Sequence, residues 1–258
     1  MPQQSSPTPR VALVTGGAKR IGRAISLALA DAGFAVAIHT GRSVAQAETL
    51  AAEITQAGSR AAVVRGDLTA PAAPRAVIQE ATAALGPLTL LVNNASIFEA
   101  DEVGSLDAQA WDRQFVINLR APVFLAEAFA AQVPAGADAS IVNIVDQRVR
   151  KLTPRQFSYT LSKAALHVAT TTLAQALAPR VRVNAVAPGP TLPSQRQDAE
   201  QFATQAGSLP LARGPSPAAI AAAVVFLAQA DSVTGETIAV DGGQHIAWKT
   251  PDVWGTEE

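Results

Sequence analysis

Short apolar runs rich in β-branched residues recur along the chain, each followed by a longer alanine-rich stretch whose apolar positions fall at helical spacing. The runs predict strands over Val11–Thr15, Ala35–His39, Ala61–Arg65, Leu88–Val92, Ile141–Val145, Val181–Ala185 and Thr237–Val240. The stretches between them predict helices over Ile21–Ala32, Val44–Ala57, Ala72–Leu85, Asp107–Ala131, Phe157–Ala178 and Pro217–Gln229, three of them stopped by Gly33, Gly58 and Pro179. Strands that alternate with helices of about ten residues or more indicate an α/β fold, a parallel sheet covered on both faces. The alternation runs without a linker, so residues 10–248 read as one domain. A polar leader over 1–9 and a tail over 249–258 flank it. The Pro-, Ser- and Gln-rich stretch 188–215 is the longest irregular segment and reads as a substrate lid.

Composition narrows the function classes. The 258 residues are 48% hydrophobic and 16% charged, enough to bury a core, and the net charge of −1 gives no reason to expect nucleic acid or an anionic membrane as partner. With no cysteine, disulfides and thiolate chemistry are excluded. The three histidines (His39, His167, His245) lack metal-ligand spacing, and no apolar run nears the about 18 residues of a membrane span. The leader lacks the apolar centre of a secretory signal, so a soluble, cytoplasmic protein is expected.

The candidate chemistry lies between the fifth strand and the following helix. Tyr159 and Lys163 sit one helical turn apart and share a face. An ammonium beside a phenol favours the phenolate, so the pair predicts a tyrosine tuned downward for proton transfer near neutral pH. Asp146 closes the Ile141–Val145 run, where a strand end can aim its carboxylate at the same spot. A plain strand-end turn residue would look the same.

At the other end, the first strand runs into Thr15-Gly16-Gly17-Ala18-Lys19-Arg20-Ile21-Gly22 and then a helix. Glycines at such a turn let the backbone approach a pyrophosphate, which the helix N-terminus attracts. Strand two ends in Ile38-His39-Thr40-Gly41-Arg42-Ser43 without the acid that binds an NAD ribose. Arg42, with Ser43 and His39, suits a 2′-phosphate instead and favours NADP(H), unless Arg42 is simply a solvated loop residue. Asp67, beside Leu68, is placed to accept from an adenine amine, although a turn-forming aspartate would look alike.

Taken in order, TGGAKRIG, GDL, Asn93–Ser96, Asn118, Tyr159-x3-Lys163, Pro188-Gly189 and Asp241-Gly242-Gly243 make the chain resemble the short-chain dehydrogenase/reductases over about residues 10–246. The resemblance implies a Rossmann-type doubly wound sheet of about seven strands, hydride transfer with NADP(H), and a homotetramer. It also implies roles. Lys163 would hold the nicotinamide ribose and tune Tyr159, the proton donor, and Asn118 would keep a relay water. Gly16, Lys19, Arg20, Ile21, Asn94, Ala95, Ser96, Pro188 and Gly189 would lie along the cofactor. Most members carry serine where Asp146 stands, and an ionised carboxylate can only accept. The aspartate branch is that of the pteridine reductases, which TGGAKRIG, His39 with Arg42-Ser43, and Asn93–Phe98 also resemble. There Phe98 would stack a pterin, with Arg20 and Ser96 contributing to the substrate site; a core aromatic is the alternative for Phe98. The resulting expectation is an NADPH-dependent reductase of a pterin-type C=N bond. A carbonyl reductase and a non-catalytic NADP(H)-binding module are the alternatives.

Overall fold

The computed structural model describes residues 10–193 and 197–248; the expected leader over 1–9 and tail over 249–258 lie outside them. Seven parallel strands form one sheet: β1 Val11–Val14, β2 Ala35–Thr40, β3 Ala61–Arg65, β4 Leu90–Asn93, β5 Ala139–Ile144, β6 Val181–Pro188 and β7 Thr237–Val240. Their order across the sheet is β3-β2-β1-β4-β5-β6-β7, with β1 beside β4 in register Ala12 to Leu90. Connections run one way from β1 to β3 and the other way from β4 onward. The strand ends at this reversal open into a crevice, the usual ligand position of such sheets.

Side-chain alternation sorts the core into two layers. Val11, Leu13, Ile141 and Val183 face a cluster with Val77, Leu125 and Phe129. Ala12, Val14, Val142 and Val186 face the opposite cluster with Ile25, Leu29, Leu50 and Val224. Each wholly buried large aliphatic chain contributes roughly 1.5–3 kcal/mol, so the doubly covered strands anchor the frame. The helices are α1 Arg20–Asp31, α2 Val44–Gln56, α3 Ala73–Leu85, α4 Ala108–Phe115, α5 Ala121–Gln132, α6 Phe157–Leu177, α7 Ala199–Gly207 and α8 Pro217–Gln229, and all but α4 and α7 supply these layers.

Two expectations need correction. The helical region expected over Asp107–Ala131 runs without a gap but is not α throughout: a π turn, Val116–Arg120, joins α4 to α5. Pro122 in the first turn of α5 has no N–H to return to the preceding turn, and its ring crowds it, so the ladder widens there. Nor is 188–215 irregular throughout. β6 runs to Pro188, and α7 forms inside the segment behind a reciprocal cap between Asp198 and Gln201. The segment expected as a lid thus contains a helix; before it Gly189 N–H donates to the Val240 carbonyl (3.0 Å), and after it Leu211 N–H donates to that of Gly242 (3.1 Å).

Candidate active site

The turn between β1 and α1 is fixed by its backbone and by buried polar struts. Thr15 Oγ1 accepts from the N–H groups of Asn94 (2.9 Å) and Ala95 (3.0 Å), and Asn94 Nδ2 donates to the carbonyls of Thr15 and Gly16 (2.9 and 3.1 Å). These bonds lace the ends of β1 and β4 together. Gly16 adopts φ +60°, and a Cβ on Gly22 would lie 2.1 Å from the Gly16 carbonyl oxygen. The packing therefore leaves no side chain between turn and helix. α1 begins with Lys19 at its N-cap, no side-chain cap and no acid in its first turn. Its free N–H groups and dipole suit the pyrophosphate of a dinucleotide.

His39 is placed differently from the phosphate ligand expected of it. It is buried, its Nδ1 accepting from Gly16 N–H (3.3 Å) and its Nε2 donating to the Gly66 carbonyl (3.0 Å). Burial holds its pKa below the ordinary value. Such a neutral ring is a strut under the turn, with no charge to offer a phosphate. Arg42 remains exposed beside it, and Ser43 N–H donates to Thr40 Oγ1 (2.9 Å). Asp67 accepts from Thr69 N–H (3.0 Å) in an Asx turn; that bond leads the causes lowering its pKa, with the Arg42 charge a smaller one. Leu68 beside it is core.

Across the crevice, Asp146, Tyr159 and Lys163 come together with Arg20, Ile21, Asn94, Ser96, Phe98, Pro188 and Gly189 around one cavity of about 700 Å³. Asp146 follows β5 and caps the short turn Gln147–Val149: its Oδ1 accepts from Arg148 N–H (2.9 Å). Its Oδ2 accepts from the Tyr159 hydroxyl (3.0 Å). The Tyr159 ring meets Phe98 edge to face, centroids 4.7 Å apart, and Phe98 keeps 42% exposure toward the cavity.

Here the expected tuning of the phenol is reversed. Lys163 Nζ donates to the Ile144 carbonyl (2.8 Å) and stands 5.9 Å from the centre of the Tyr159 ring. Burial first, then the adjacent Asp146 charge and the hydrogen bond to it, push the Tyr159 pKa well above the usual 10; Arg148 and the Ser96 hydroxyl pull weakly the other way. Burial brings Lys163 down to about 8. In this state the site thus stores a proton on Tyr159, and the carboxylate outweighs the ammonium.

The side-chain amide of Asn118 is wholly engaged by protein groups. Buried on the π turn, it accepts from Ser96 Oγ (2.9 Å) and Ile97 N–H (3.0 Å), and donates to the Ile97 carbonyl (3.0 Å) and Ser162 Oγ (3.1 Å). That fills the capacity of its amide and clamps the Ser96–Ile97 loop to α6. Arg20 shows φ +52°, the conformation glycine prefers, and its guanidinium donates to the Pro193 carbonyl (3.0 Å), tying the turn to the segment that follows β6.

Several cavity residues escaped the sequence reading, Phe202, Gln205 and Arg148 among them. Phe202 and Gln205 come from α7, which the Asp198-x-x-Gln201 capping pattern could have revealed. Arg148 lies two residues beyond Asp146, and no local pattern announces which way it points.

Among the described residues no helix is long and apolar enough to cross a membrane, and no three acidic or imidazole groups gather as metal ligands. Comparison with known proteins agrees with the architecture. A family model for short chain dehydrogenases matches residues 10–203. The crystal structure of FolM alternative dihydrofolate reductase 1 from Brucella suis in complex with NADP superposes with a TM-score of 0.92 at 52% identity, covering 95% of this chain and 98% of that one. The 3-oxoacyl-[acyl-carrier-protein] reductase FabG of Staphylococcus aureus is 34% identical over 91% of this chain and 98% of its own. Galactitol 2-dehydrogenase of Agrobacterium fabrum is 35% identical over 92% and 98%. The sheet order, the glycine turn under α1, the Tyr159–Lys163 pair and the match across residues 10–203 agree: the chain belongs to the short-chain dehydrogenase family.

Proposed function

We propose that this oxidoreductase uses NADPH to reduce a C=N bond in a pterin-type ring, a dihydropterin or dihydrofolate going to the tetrahydro form. The observation carrying the reading is the Tyr159–Asp146 hydrogen bond beside the open face of Phe98. A ketone offers only an acceptor oxygen, which an ionised Asp146 would repel; a pterin offers ring and amino N–H groups that a carboxylate binds. Phe98 gives a flat heterocycle a wall, worth about 0.5–1.5 kcal/mol beyond burial. The NADP-bound relative at 52% identity, named an alternative dihydrofolate reductase, supports both cofactor and substrate.

The cofactor fits the chain's own features: the cleared turn at Gly16 and Gly22, the uncapped start of α1, and Arg42 where a 2′-phosphate would lie. When bound it supplies hydride. Tyr159, held as a phenol, delivers its proton to the ring nitrogen next to the carbon that receives hydride. Asp146 orients the heterocycle through its N–H groups and takes part in returning a proton to the phenolate from water. In this reading Lys163, charged near neutral pH, holds the nicotinamide ribose and stabilises the phenolate once it forms. Asn118 keeps the Ser96–Ile97 wall against α6. A cytoplasmic homotetramer is the assembly this reading carries, supported by half-exposed Phe124 on α5 and Phe226 on α8.

Oxidation of NADPH followed at 340 nm with 7,8-dihydrobiopterin and with dihydrofolate, NADH in parallel, tests the reading. Turnover preferring NADPH, and falling sharply in Asp146→Ser, is expected. No turnover of either pterin, with ketones such as 3-oxoacyl thioesters reduced instead, would overturn it in favour of the activity named for the FabG relative.

A further inference from the structure

Three cations line the cavity among the described residues, and two are engaged: Lys163 with the Ile144 carbonyl, Arg20 with the carbonyls of Leu192 and Pro193. Arg148 is not. Its backbone N–H is pinned by Asp146, but its half-buried guanidinium makes no hydrogen bond or ion pair with any described residue. It lies over two rings instead, 5.3 Å from the centre of Phe98 and 5.8 Å from that of Tyr159. A guanidinium held over aromatic rings keeps its in-plane N–H groups free to fork a carboxylate. Partial burial of an unneutralised cation is unfavourable until an anion arrives.

The nearest anion does not fill that need. Both Asp146 oxygens already accept, one from Arg148's own N–H and one from the phenol, and no ion pair forms between the two side chains. Phe98 and the guanidinium line the same cavity as Gln156, at the start of α6, and Gln205 of α7, which leaves room there for the substituent of a flat ring against Phe98.

We infer that Arg148 is a specificity residue that binds an anionic group, a carboxylate or phosphate, on the tail of the substrate. This rests on the pterin reading above. It selects a folate, with its glutamyl carboxylates, or a phosphorylated dihydropterin over a pterin whose side chain is uncharged.

The test compares kcat/KM for dihydrofolate, 7,8-dihydroneopterin monophosphate and 7,8-dihydrobiopterin in the wild type, Arg148→Met and Arg148→Lys, with the NADPH dissociation constant measured for each. Hydrogen bonds to charged groups are worth enough for about a tenfold effect or more. The ratio of dihydrofolate to dihydrobiopterin kcat/KM should fall at least tenfold in Arg148→Met, carried by KM, and recover in part in Arg148→Lys. A fall confined to the monophosphate identifies phosphate as the anion, and one confined to dihydrofolate identifies carboxylate. Equal losses on all three, or a matching loss of NADPH affinity, would assign Arg148 to the phenol or the cofactor and overturn the inference while the pterin reading stands. A wild type inactive on all three substrates removes that reading and this inference together.

Discussion

The two ends of the crevice are built from different materials. At the β1–α1 turn the polar side chains Thr15, His39 and Asn94 are spent on holding the backbone of the turn and the neighbouring strand ends. At the β5–α6 end the working groups are ionisable side chains, Asp146, Tyr159, Lys163 and Arg148, crowded into a half-enclosed space that shifts the proton affinities of Tyr159 and Lys163. The first arrangement suits a ligand part that is always the same, where geometry suffices. The second suits a step in which charge moves, because shifted proton affinities gather where a site must hold and release protons. Damage to one end should therefore appear as lost binding and damage to the other as lost chemistry.

The largest separation is expected from Tyr159→Phe. It deletes the proton and leaves the ring against Phe98, with Lys163 and the turn untouched. Loss of a positioned acid costs about 10³-fold, so turnover should drop by that order while the NADPH dissociation constant, read by cofactor fluorescence, stays within about twofold. A loss of cofactor binding comparable to the loss of rate would erase the division.

Next comes pH. Folded Lys163 titrates near 8 against an ordinary 10.5, so between those values the unfolded chain binds more protons and the apo protein gains stability as pH rises, by at most about 3 kcal/mol. Below pH 8 the full cost of burying the charge is present. Above pH 10 the sign reverses, because folded Tyr159 keeps its proton after the unfolded phenol has lost it. Denaturant unfolding of apo protein at pH 7.5 and 9.5 should show the gain, and Lys163→Met should lack it. Tyr159 is the only tyrosine in the chain, so absorbance at 295 nm follows it alone. Its midpoint should lie above 10 and descend in Asp146→Asn. An unchanged midpoint in that variant would remove the carboxylate as a cause.

The same division explains what the sequence disclosed. Strand and helix periodicity, the glycines and the helix stops are local properties, and the seven strands lie where the apolar runs predicted them, to within two residues at most ends. β6 departs furthest, running three residues beyond its expected end to Pro188. Ordered motifs made Asp146, Tyr159 and Lys163 legible as candidates, and they do line one cavity, whereas Arg148, Phe202 and Gln205 carried no such motif. The electrostatics of the site were not legible. The Tyr159–Lys163 spacing suggests a lowered phenol, but which neighbour dominates depends on Lys163 turning to the Ile144 carbonyl and Asp146 crossing from another element. His39 likewise looks like a phosphate ligand until both ring nitrogens are seen bonded beneath the turn. The π turn between α4 and α5 was within reach, since Pro122 sits inside the predicted helix.

The smallest effect in this series is expected at the cofactor end, from Gly22→Ala. Alanine favours a helix over glycine by about 1 kcal/mol, so an unobstructed position would be stabilised. Here the new methyl group would lie 2.1 Å from the Gly16 carbonyl oxygen and 2.7 Å from Asn94 Nδ2. Neither can retreat cheaply, since Gly16 is fixed at positive φ and Asn94 is the lace between β1 and β4. Overpacking costs about 1–3 kcal/mol, which cancels the helical gain and pushes the turn outward. The variant should melt a few degrees lower at most, yet bind NADPH about tenfold more weakly, because it displaces the turn and helix start proposed to receive the pyrophosphate. At saturating NADPH its kcat should return to within about threefold of wild type, since nothing at the β5–α6 end has moved. A kcat that stays low at saturation would mean that the turn also sets the geometry of the chemistry, and that the two ends are not separate devices.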